Sequence, residues 1–290
     1  MGCILKGNSG LYSRMTVGAV LLAAGAGSRI GGRPKALLEL GGVPLILRQL
    51  IALSGAGVDE LVVVLGHHAE LIEPVIQHFP LTLVRNPRPD EGQVSSQRLG
   101  LQALSAKLDA VLVALADQPL INEQDIGALI GAYKKRPEGA SVVVPQVGGE
   151  PGNPVMFSAD VREQILAAGA NIGCKQWRAA HPEAVAWFET DNRRFKVDID
   201  TPEDIAAFER STGHVLRWPA WPDGQAQRRP AGQPELRRPV AGRAWPGAGL
   251  APVARGGRPV CWVSSVPRCG AAPCRAAGLA ATAGPVPAGW

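Results

Sequence analysis

Apolar and polar positions alternate in blocks along the first half of the chain, and the blocks predict strands and helices in turn. Short continuous apolar runs predict strands buried on both faces, since a strand in a covered parallel sheet has no polar side. Such runs occupy residues 17–23, 60–65, 81–85, 109–116 and 141–145. Apolar residues at helical spacing predict helices over residues 45–53, 69–79, 95–104 and 122–133. This alternation predicts an α/β fold, with a mainly parallel twisted sheet and helices on both faces.

The pattern changes after Gly148, where glycine and proline become frequent. A Gly- and Pro-rich turn over residues 148–157 leads into the next predicted helix. The remaining predicted elements are helices at 159–168 and 175–180, strands at 185–188 and 195–199, and a helix at 202–211. Thr201, with Asp204 three residues later, is typical of the cap that begins a helix. The periodic part of the chain predicts one domain over residues 16–214.

Residues 215–290 differ in composition from the rest of the chain. They hold ten Arg, no Lys, two acidic residues and twelve of the 25 prolines. Their net charge is +8, so residues 1–214 carry −3 of the chain's +5. Because this tail lacks apolar periodicity, it cannot bury enough surface to offset its ordering entropy. We predict disorder for residues 1–15 and 215–290; the alternative is an Arg-rich tail that binds nucleic acid or acidic membrane.

Cysteine spacing and hydrophobicity argue against several classes of protein. The five cysteines form no CxxC pair, so neither a zinc site nor a disulfide framework is indicated. The chain has no apolar run of about 18 residues, the length that a membrane-spanning helix requires. The first fifteen residues lack the apolar core of a signal peptide. We therefore expect a soluble cytoplasmic protein with no nucleic-acid or membrane partner.

A glycine-rich loop at residues 25–31 follows the first predicted strand. Its spaced glycines superficially match a dinucleotide-binding fingerprint. That fingerprint expects an acid about 20 residues on, at the end of the second strand, where this chain has Leu65-Gly66-His67-His68. The cations Arg29 and Lys35 instead favour a loop that binds several phosphate charges through backbone N–H groups and side chains. The alternative is that both cations are solvated loop charges.

Carboxylates follow two other predicted elements. Asp117 comes directly after the strand at 109–116, on the edge where ligands of parallel sheets bind. Asp198 and Asp200 would face the same side of a strand, an arrangement that favours a nearby cation. One or two carboxylates together with substrate phosphates are a typical Mg²⁺ site, formed here by Asp117 with Asp198 or Asp200. The alternatives are a turn cap for Asp117 and a helix-start acid for Asp200.

Two hydroxyl side chains, Ser95 and Ser96, follow a loop that begins at Asn86 and lie in the first turn of a predicted helix. Hydroxyls at such a position can contact a base or a ribose. The alternative for Ser95 is simple N-capping of the helix.

Five segments together resemble a known family. They are "LAAGAGSRIGGRPKALLELGGVPL", "NPRPDEGQVSSQRLGL", "ALADQPLI", "GEPGNPVMF" and "VDIDTPEDI", in this order between residues 22 and 205. The chain resembles the MobA-like nucleotidyltransferases, most closely the molybdenum cofactor cytidylyltransferases. The resemblance implies a Rossmann-like nucleotidyltransferase fold, Mg²⁺, and transfer of a nucleotidyl group from a nucleoside triphosphate to a phosphate, with release of pyrophosphate. The Leu-Ala-Ala-Gly start favours CTP over GTP.

The resemblance also implies residue roles. Arg29 and Lys35 would be the catalytic cations, and Asp117 with Asp198 or Asp200 would hold Mg²⁺. The nucleotide-binding residues would be Ala23, Ala24, Gly25, Gly27, Ser28, Arg29, Lys35, Ser95, Ser96 and Asp117. The resemblance implies that the acceptor is the molybdopterin cofactor. It also implies a molybdoenzyme or its chaperone as a partner protein.

Two departures from the family pattern leave the acceptor open. The cytidylyltransferases often have Gly-His-Pro where this chain has Gly152-Asn153-Pro154, and an Asp-containing stretch at residues 169–175. A sugar phosphate or another phosphate acceptor is therefore an alternative to molybdopterin. A different class of function, an NAD(P)-dependent oxidoreductase, also stays open, as does a non-catalytic regulator that keeps the nucleotide pocket.

Overall fold

A computed structural model describes residues 14–220 of the protein. The apolar run at residues 17–23 forms strand β1 in the interior of the main sheet. The β-strands among these residues are β1 Val17–Ala23, β2 Glu39–Leu40, β3 Val43–Pro44, β4 Glu60–Leu65, β5 Thr82–Arg85, β6 Ala110–Leu115, β7 Val142–Val147, β8 Glu150–Pro151, β9 Val155–Ser158, β10 Val185–Glu189 and β11 Leu216–Arg217. The α-helices are α1 Leu45–Gly55, α2 Ala69–Ile76, α3 Gln93–Ala103, α4 Glu123–Lys134, α5 Ala159–Ala167, α6 Cys174–Ala180 and α7 Pro202–Thr212. Short 3-10 turns occupy Ser28–Ile30, Lys35–Leu37, Pro89–Glu91, Pro182–Ala184 and Arg193–Lys196.

The main sheet is mostly parallel and has the strand order β10-β7-β9-β6-β1-β4-β5. Strand β1 pairs in parallel with β4 and β6, β4 with β5, and β7 with β10. Strand β9 is antiparallel to both β6 and β7, and β8 pairs with β7. The predicted mainly parallel α/β fold is confirmed. Because β1 and β6 run side by side in parallel, the segments that follow them emerge at the same edge of the sheet.

Alternate side chains of β1 enter two hydrophobic cores, one on each face of the sheet. Leu21 belongs to the core formed with α1, α2 and α4, whereas Val20 belongs to the core formed with α3, α5 and α6. This division follows from the period of two in strand geometry. It explains why the strand is a continuous apolar run, and it confirms the prediction of helices on both faces.

A third, smaller core joins the segment after β1 to the last helix. Ile30 and Leu38 pack there with Leu45, Ile199 and Phe208. Helix α7, which carries Phe208, starts at the Thr201 cap that the sequence predicts. This core therefore holds residues 198–200 beside the glycine-rich loop.

Two segments differ from the prediction made from the sequence. Residues 195–199 were expected to form a strand, but a 3-10 turn and irregular backbone replace it. The carbonyl of Phe195 accepts from the Asn153 N–H, 2.9 Å, and from Gln118 Nε2, 3.3 Å, so its hydrogen bonds do not go to a strand ladder. The strand β9 lies in the segment that was predicted as a turn. It was missed because a strand of four residues is too short to show an apolar period.

The described fold extends past the predicted domain boundary at His214. Leu216 in β11 pairs with Leu40 in β2, and its side chain is buried in the third core. Residues 1–13 and 221–290, which make up most of the predicted extension and tail, lie outside the described residues. Within residues 14–220, no helix combines the length and the apolar character needed to cross a membrane.

Helix α3 packs closely against the sheet at Gly100. A Cβ added there would stand 2.4 Å from Val20 Cγ1 and 2.9 Å from Val64 Cγ2. We expect Gly100→Ala to lower the free energy of unfolding by about 1–3 kcal/mol, since both valines are β-branched and held in the core. Gly127→Ala is the matched control because Gly127 is exposed in α4 with nothing within 4 Å of the added Cβ. That substitution should raise stability by about 0.5–1 kcal/mol, and denaturant unfolding of both variants tests the pair.

Candidate functional site

A cavity of about 470 Å³ opens at the sheet edge where β1 and β6 end. The residues predicted from the sequence that line it are Ala23, Ala24, Gly25, Arg29, Lys35, Ser96, Asp117, Asp198 and Asp200. Gly27, Ser28 and Ser95 were also predicted as nucleotide-binding residues, but they are not part of the cavity lining. The cavity lies where ligands of parallel α/β sheets are expected to bind.

The glycine-rich loop between β1 and Lys35 has a conformation that depends on Gly27. This residue has φ +63°, and an added Cβ would stand 2.0 Å from the backbone oxygen of Arg33. The Gly27 carbonyl accepts from the N–H groups of Ile30 and Gly32, each at 2.9 Å. A second contact holds the loop in place. His68, in the segment after β4, has its Nε2 3.0 Å from the carbonyl oxygen of Ala26. Gly27 therefore shapes the loop without touching the cavity.

Lys35 lies between two carboxylates from distant parts of the chain. Its Nζ is 2.6 Å from Asp117 Oδ2 and 2.6 Å from Asp200 Oδ1. Burial lowers the pKa of Lys35, but the charges and hydrogen bonds of Asp117 and Asp200 outweigh that effect and raise it. The lysine is therefore a full positive charge at the cavity wall.

Arg29 contacts the same acidic residue from the outer side of the cavity. Its Nη2 donates to Asp200 Oδ2 at 2.8 Å, and about two thirds of the Arg29 side chain is exposed, 66%. Burial raises the pKa of Asp200, but the hydrogen bond and charge of Lys35, with those of Arg29, outweigh it and lower that pKa. Asp200 is thus the shared partner of the two cations that the sequence singled out.

Backbone contacts bring the segment of residues 198–200 to the end of β6. The Ile199 N–H donates to the Asp117 carbonyl at 3.1 Å. The Asp204 carboxylate accepts from the N–H groups of Asp200 and Thr201, at 3.0 and 2.7 Å, and so begins α7. Asp198 and Asp200 both line the cavity as predicted, but irregular backbone and a helix start place them there, not a shared strand face.

Asp117 Oδ1 and the Asp198 carboxylate form no ion pair among residues 14–220, since Lys35 contacts the other oxygen of Asp117. Asp117 Oδ1 is buried and has no hydrogen-bond partner in this part of the chain. Asp198 forms no ion pair within residues 14–220, and burial, followed by the charges of Asp117 and Asp200, raises its pKa. A divalent cation would relieve both conditions. No group of three acid, His or Cys side chains in the described part of the chain could hold a metal alone, so substrate phosphates would have to complete such a site.

The two predicted hydroxyl residues have different surroundings. Ser96 lines the cavity and is buried. Ser95 is not the N-cap of α3, because Gly92 occupies that position and Ser95 Oγ donates to the Gly92 carbonyl at 2.8 Å. The N-capping interpretation of Ser95 is therefore wrong.

Three lining residues with polar side chains were missed by the sequence reasoning: His67, Asp90 and Gln93. His67 Nε2 and Asp90 Oδ1 lie 3.3 Å apart. His67 lies two residues after the end of β4, so the rule that ligands bind at the carboxyl ends of parallel strands could have found it. Asp90 and Gln93 stand in the second resembling segment, but a loop without periodicity does not reveal which side chains point inwards.

Comparison with known proteins identifies the family. The family model described as a MobA-like NTP transferase domain matches residues 19–185, from β1 to the start of β10. Among curated relatives, nicotine blue oxidoreductase from Paenarthrobacter nicotinovorans is 30% identical over 194 residues, which are 65% of this chain and 94% of that protein. The 2-C-methyl-D-erythritol 4-phosphate cytidylyltransferase of Streptomyces coelicolor is 37% identical over 206 residues, 68% of each chain.

Other relatives match over part of their length or in fold. The bifunctional protein GlmU of Kineococcus radiotolerans is 38% identical over 117 residues, and the chain spans 24% of its length. A solved nucleotidyl transferase from Methanothermobacter thermautotroptrophicus is 26% identical, with a TM-score of 0.57 over 68% of this chain and 97% of that one. These similarities agree with the Rossmann-like nucleotidyltransferase fold. With its glycine-rich loop, its cavity at the sheet edge and a matching family model over more than half of its length, the chain belongs to the MobA-like NTP transferase family.

Proposed function

We propose that this protein transfers a nucleotidyl group from a nucleoside triphosphate to a phosphate-bearing small molecule and releases pyrophosphate. The observation that carries the proposal is the cluster of Arg29 and Lys35 with three carboxylates at the end of β1 and β6. A cavity with cations on a glycine-rich loop suits a triphosphate, and the carboxylates suit the metal that accompanies it. Membership of the MobA-like family supports this reading.

The chain's own residues would act by positioning and electrostatics. Backbone N–H groups of the loop, with Arg29 and Lys35, would bind and orient the phosphates. In the free protein these cations pair with Asp200, so phosphate oxygens would compete with that carboxylate for them. An acceptor phosphate is already ionised at neutral pH and needs no general base. Charge that builds up in the transition state would be stabilised by the fixed cations in a partly desolvated cavity.

We assign the proposed Mg²⁺ to Asp117, whose Oδ1 has no hydrogen-bond partner among the described residues, and to Asp198, whose carboxylate lines the same cavity and forms no ion pair there. When bound, the metal would neutralise phosphate charge and polarise the reacting phosphorus. Asp200, the alternative ligand, is the partner of Lys35 and Arg29, so we assign it the role of orienting those cations.

For the substrates, we propose CTP as donor and molybdopterin as acceptor, with a molybdoenzyme or its chaperone as the partner that receives the product. The Leu-Ala-Ala-Gly start and the similarity to a cytidylyltransferase support CTP. That relative's name gives 2-C-methyl-D-erythritol 4-phosphate as its substrate, which favours a sugar-like phosphate as the alternative acceptor.

A second candidate function is an oxidoreductase. The observation that favours it is the 30% identity to nicotine blue oxidoreductase over 94% of that protein. Such a reaction would use the cavity for a nicotinamide dinucleotide instead of a triphosphate. The absence of an acid at the end of β4, where His67 and His68 follow Gly66, argues against the usual ribose contact.

Ligand-induced stabilisation separates the two candidates. We expect CTP with Mg²⁺ to raise the melting temperature more than GTP, ATP, UTP, NADH or NADPH. A ligand present at 100 times its Kd adds about 2.7 kcal/mol to the free energy of unfolding. Omitting Mg²⁺ should reduce the shift for the triphosphates. A shift with NADH or NADPH alone would support the oxidoreductase, and no shift with any triphosphate would refute the proposal.

Removing the Lys35 charge should mainly impair turnover. We expect Lys35→Ala to slow pyrophosphate release by about 10²-fold or more, by analogy with the loss of one transition-state charge contact. The rate is measured with the nucleotide and acceptor that wild type uses best. Lys134→Ala, an exposed lysine at the end of α4, is the control and should keep the wild-type rate. Full activity in Lys35→Ala would overturn the assigned role.

The ionised carboxylates of Asp198 and Asp200 should change the free energy of unfolding in opposite directions. The pKa of Asp198 is raised, so its ionised form disfavours folding at neutral pH; the pKa of Asp200 is lowered, so its ionised form favours folding above its ordinary value of 3.8. At pH 7 without metal, we expect Asp198→Asn to raise Tm by about 1–2 °C and Asp200→Asn to lower it by about 2–4 °C, after allowing for solvent screening. As the pH falls from 7, the Asp198→Asn difference should shrink above the ordinary value of 3.8, because the raised pKa lets this carboxylate protonate first in the folded protein. The Asp200→Asn difference should shrink only below 3.8, because the pKa of Asp200 is lowered. Melting curves from pH 7 to pH 3 test the signs and this order, and equal shifts in the same direction would contradict this charge arrangement.

A further inference from the structure

A buried asparagine lies beside the cavity, between β5 and α3. Asn86 directly follows β5 and is 6% exposed. Its backbone N–H donates to the Leu65 carbonyl at the end of β4, 2.8 Å away. Its side-chain amide contacts the backbone N–H of Arg88 and the hydroxyls of Ser95 and Ser96, each at 2.9 Å. Every polar atom of this side chain therefore has a partner.

The orientation of the amide follows from the one partner that cannot change its role. The backbone N–H of Arg88 is always a donor, so the Asn86 atom that faces it must be the acceptor Oδ1. Nδ2 then faces both hydroxyls and donates to them. Each serine oxygen is an acceptor in this contact, and each hydroxyl proton must point elsewhere.

The two hydroxyl protons have different destinations. Ser95 Oγ donates to the Gly92 carbonyl at 2.8 Å, and Ser95 does not line the cavity. Ser96 does line the cavity and is 3% exposed. Among residues 14–220, no protein acceptor takes the Ser96 proton. A nearly buried donor without a partner is unfavourable, so this hydroxyl is ready to donate to a ligand atom.

We propose that Asn86 is a positioning residue that fixes the Ser96 hydroxyl as a hydrogen-bond donor to the nucleoside part of the substrate. The group it would meet is an acceptor, such as a carbonyl oxygen or unprotonated ring nitrogen of the base, or a ribose oxygen. The inference rests on the proposed binding of a nucleoside triphosphate in this cavity. The backbone N–H of Arg88 fixes the orientation of the Asn86 amide, and this orientation makes the Ser96 hydroxyl a donor to the ligand.

Asn86→Asp tests this direction of hydrogen bonding because it keeps the shape of the side chain and replaces the donor Nδ2 with an acceptor oxygen. One carboxylate oxygen would still accept from Arg88, while the other would accept the Ser96 proton and turn the hydroxyl away from the ligand. We expect the Kd of CTP with Mg²⁺, measured by isothermal titration calorimetry, to rise about tenfold or more.

Inorganic tripolyphosphate should bind as it does to wild type, since it has no nucleoside. Ribose 5-triphosphate separates the two sources of the acceptor: a loss shared with CTP assigns the ribose, and a loss confined to CTP assigns the base.

Serine variants supply a second test that does not depend on the folding of Asn86→Asp. Ser96→Ala should raise the Kd of CTP about three- to tenfold, whereas Ser54→Ala, the matched control at an exposed serine of α1 outside the cavity lining, should bind CTP as wild type does. In a double-mutant cycle, Asn86→Asp should add no further loss to Ser96→Ala, because both changes remove the same donor. A merely structural role of Asn86 would give additive losses instead.

The outcomes that overturn this inference differ from those that overturn the proposed function. Wild-type affinity for CTP in Asn86→Asp or in Ser96→Ala, additive losses in the cycle, or an equal loss of tripolyphosphate binding would each refute the positioning role and leave nucleotidyl transfer standing. If the wild-type protein binds none of CTP, UTP, GTP and ATP, the proposed function fails and this inference fails with it.

Discussion

The ammonium group of Lys35 is held between Asp117 and Asp200, and this contact joins three parts of the chain. The partners lie 82 and 165 residues away from Lys35 in sequence. Only about a sixth of the Lys35 side chain is exposed, 17%. Removing one member of a partly buried ion pair leaves an uncompensated charge, so the three segments depend on one another. The glycine-rich loop, the end of β6 and the start of α7 are thereby held around one cavity.

The same contact determines the electrostatics of the cavity. Two cations, Arg29 and Lys35, face three carboxylates, and both cations are directed at Asp200. Within residues 14–220, Asp117 keeps one oxygen without a hydrogen-bond partner, and the negative charge of Asp198 is unfavourable. A triphosphate alone would meet repulsion from these two carboxylates, and a divalent cation alone would meet the lysine. A metal–triphosphate pair satisfies both sets of groups, which is why the proposed substrate and the proposed metal belong to one argument.

Family membership and chemistry are separate questions for this fold. The same MobA-like domain is similar to a cytidylyltransferase and to a protein named as an oxidoreductase. A fold provides the sheet edge and the loop, whereas the reaction depends on particular side chains in the cavity. The residues that would meet an acceptor, around Gly152–Pro154 and 169–175, differ from the pattern of the resembling family.

The amino-acid sequence by itself determined the parallel core, because buried strands and amphipathic helices have distinct apolar periods. It also indicated Arg29 and Lys35, which lie in or shortly after the glycine-rich loop, and Asp117, which directly follows a predicted strand. It could not reveal β9, which is too short to show a period, or the irregular backbone at residues 195–199, where Phe195 bonds to a loop and a side chain instead of a ladder. Only the tertiary structure decided that Asp200 pairs with both cations while Asp117 keeps an oxygen free, and that Ser96 faces the cavity while Ser95 does not. These are contacts between residues far apart in the chain, or differences in side-chain direction within one helical turn, and neither leaves a periodic trace in the sequence.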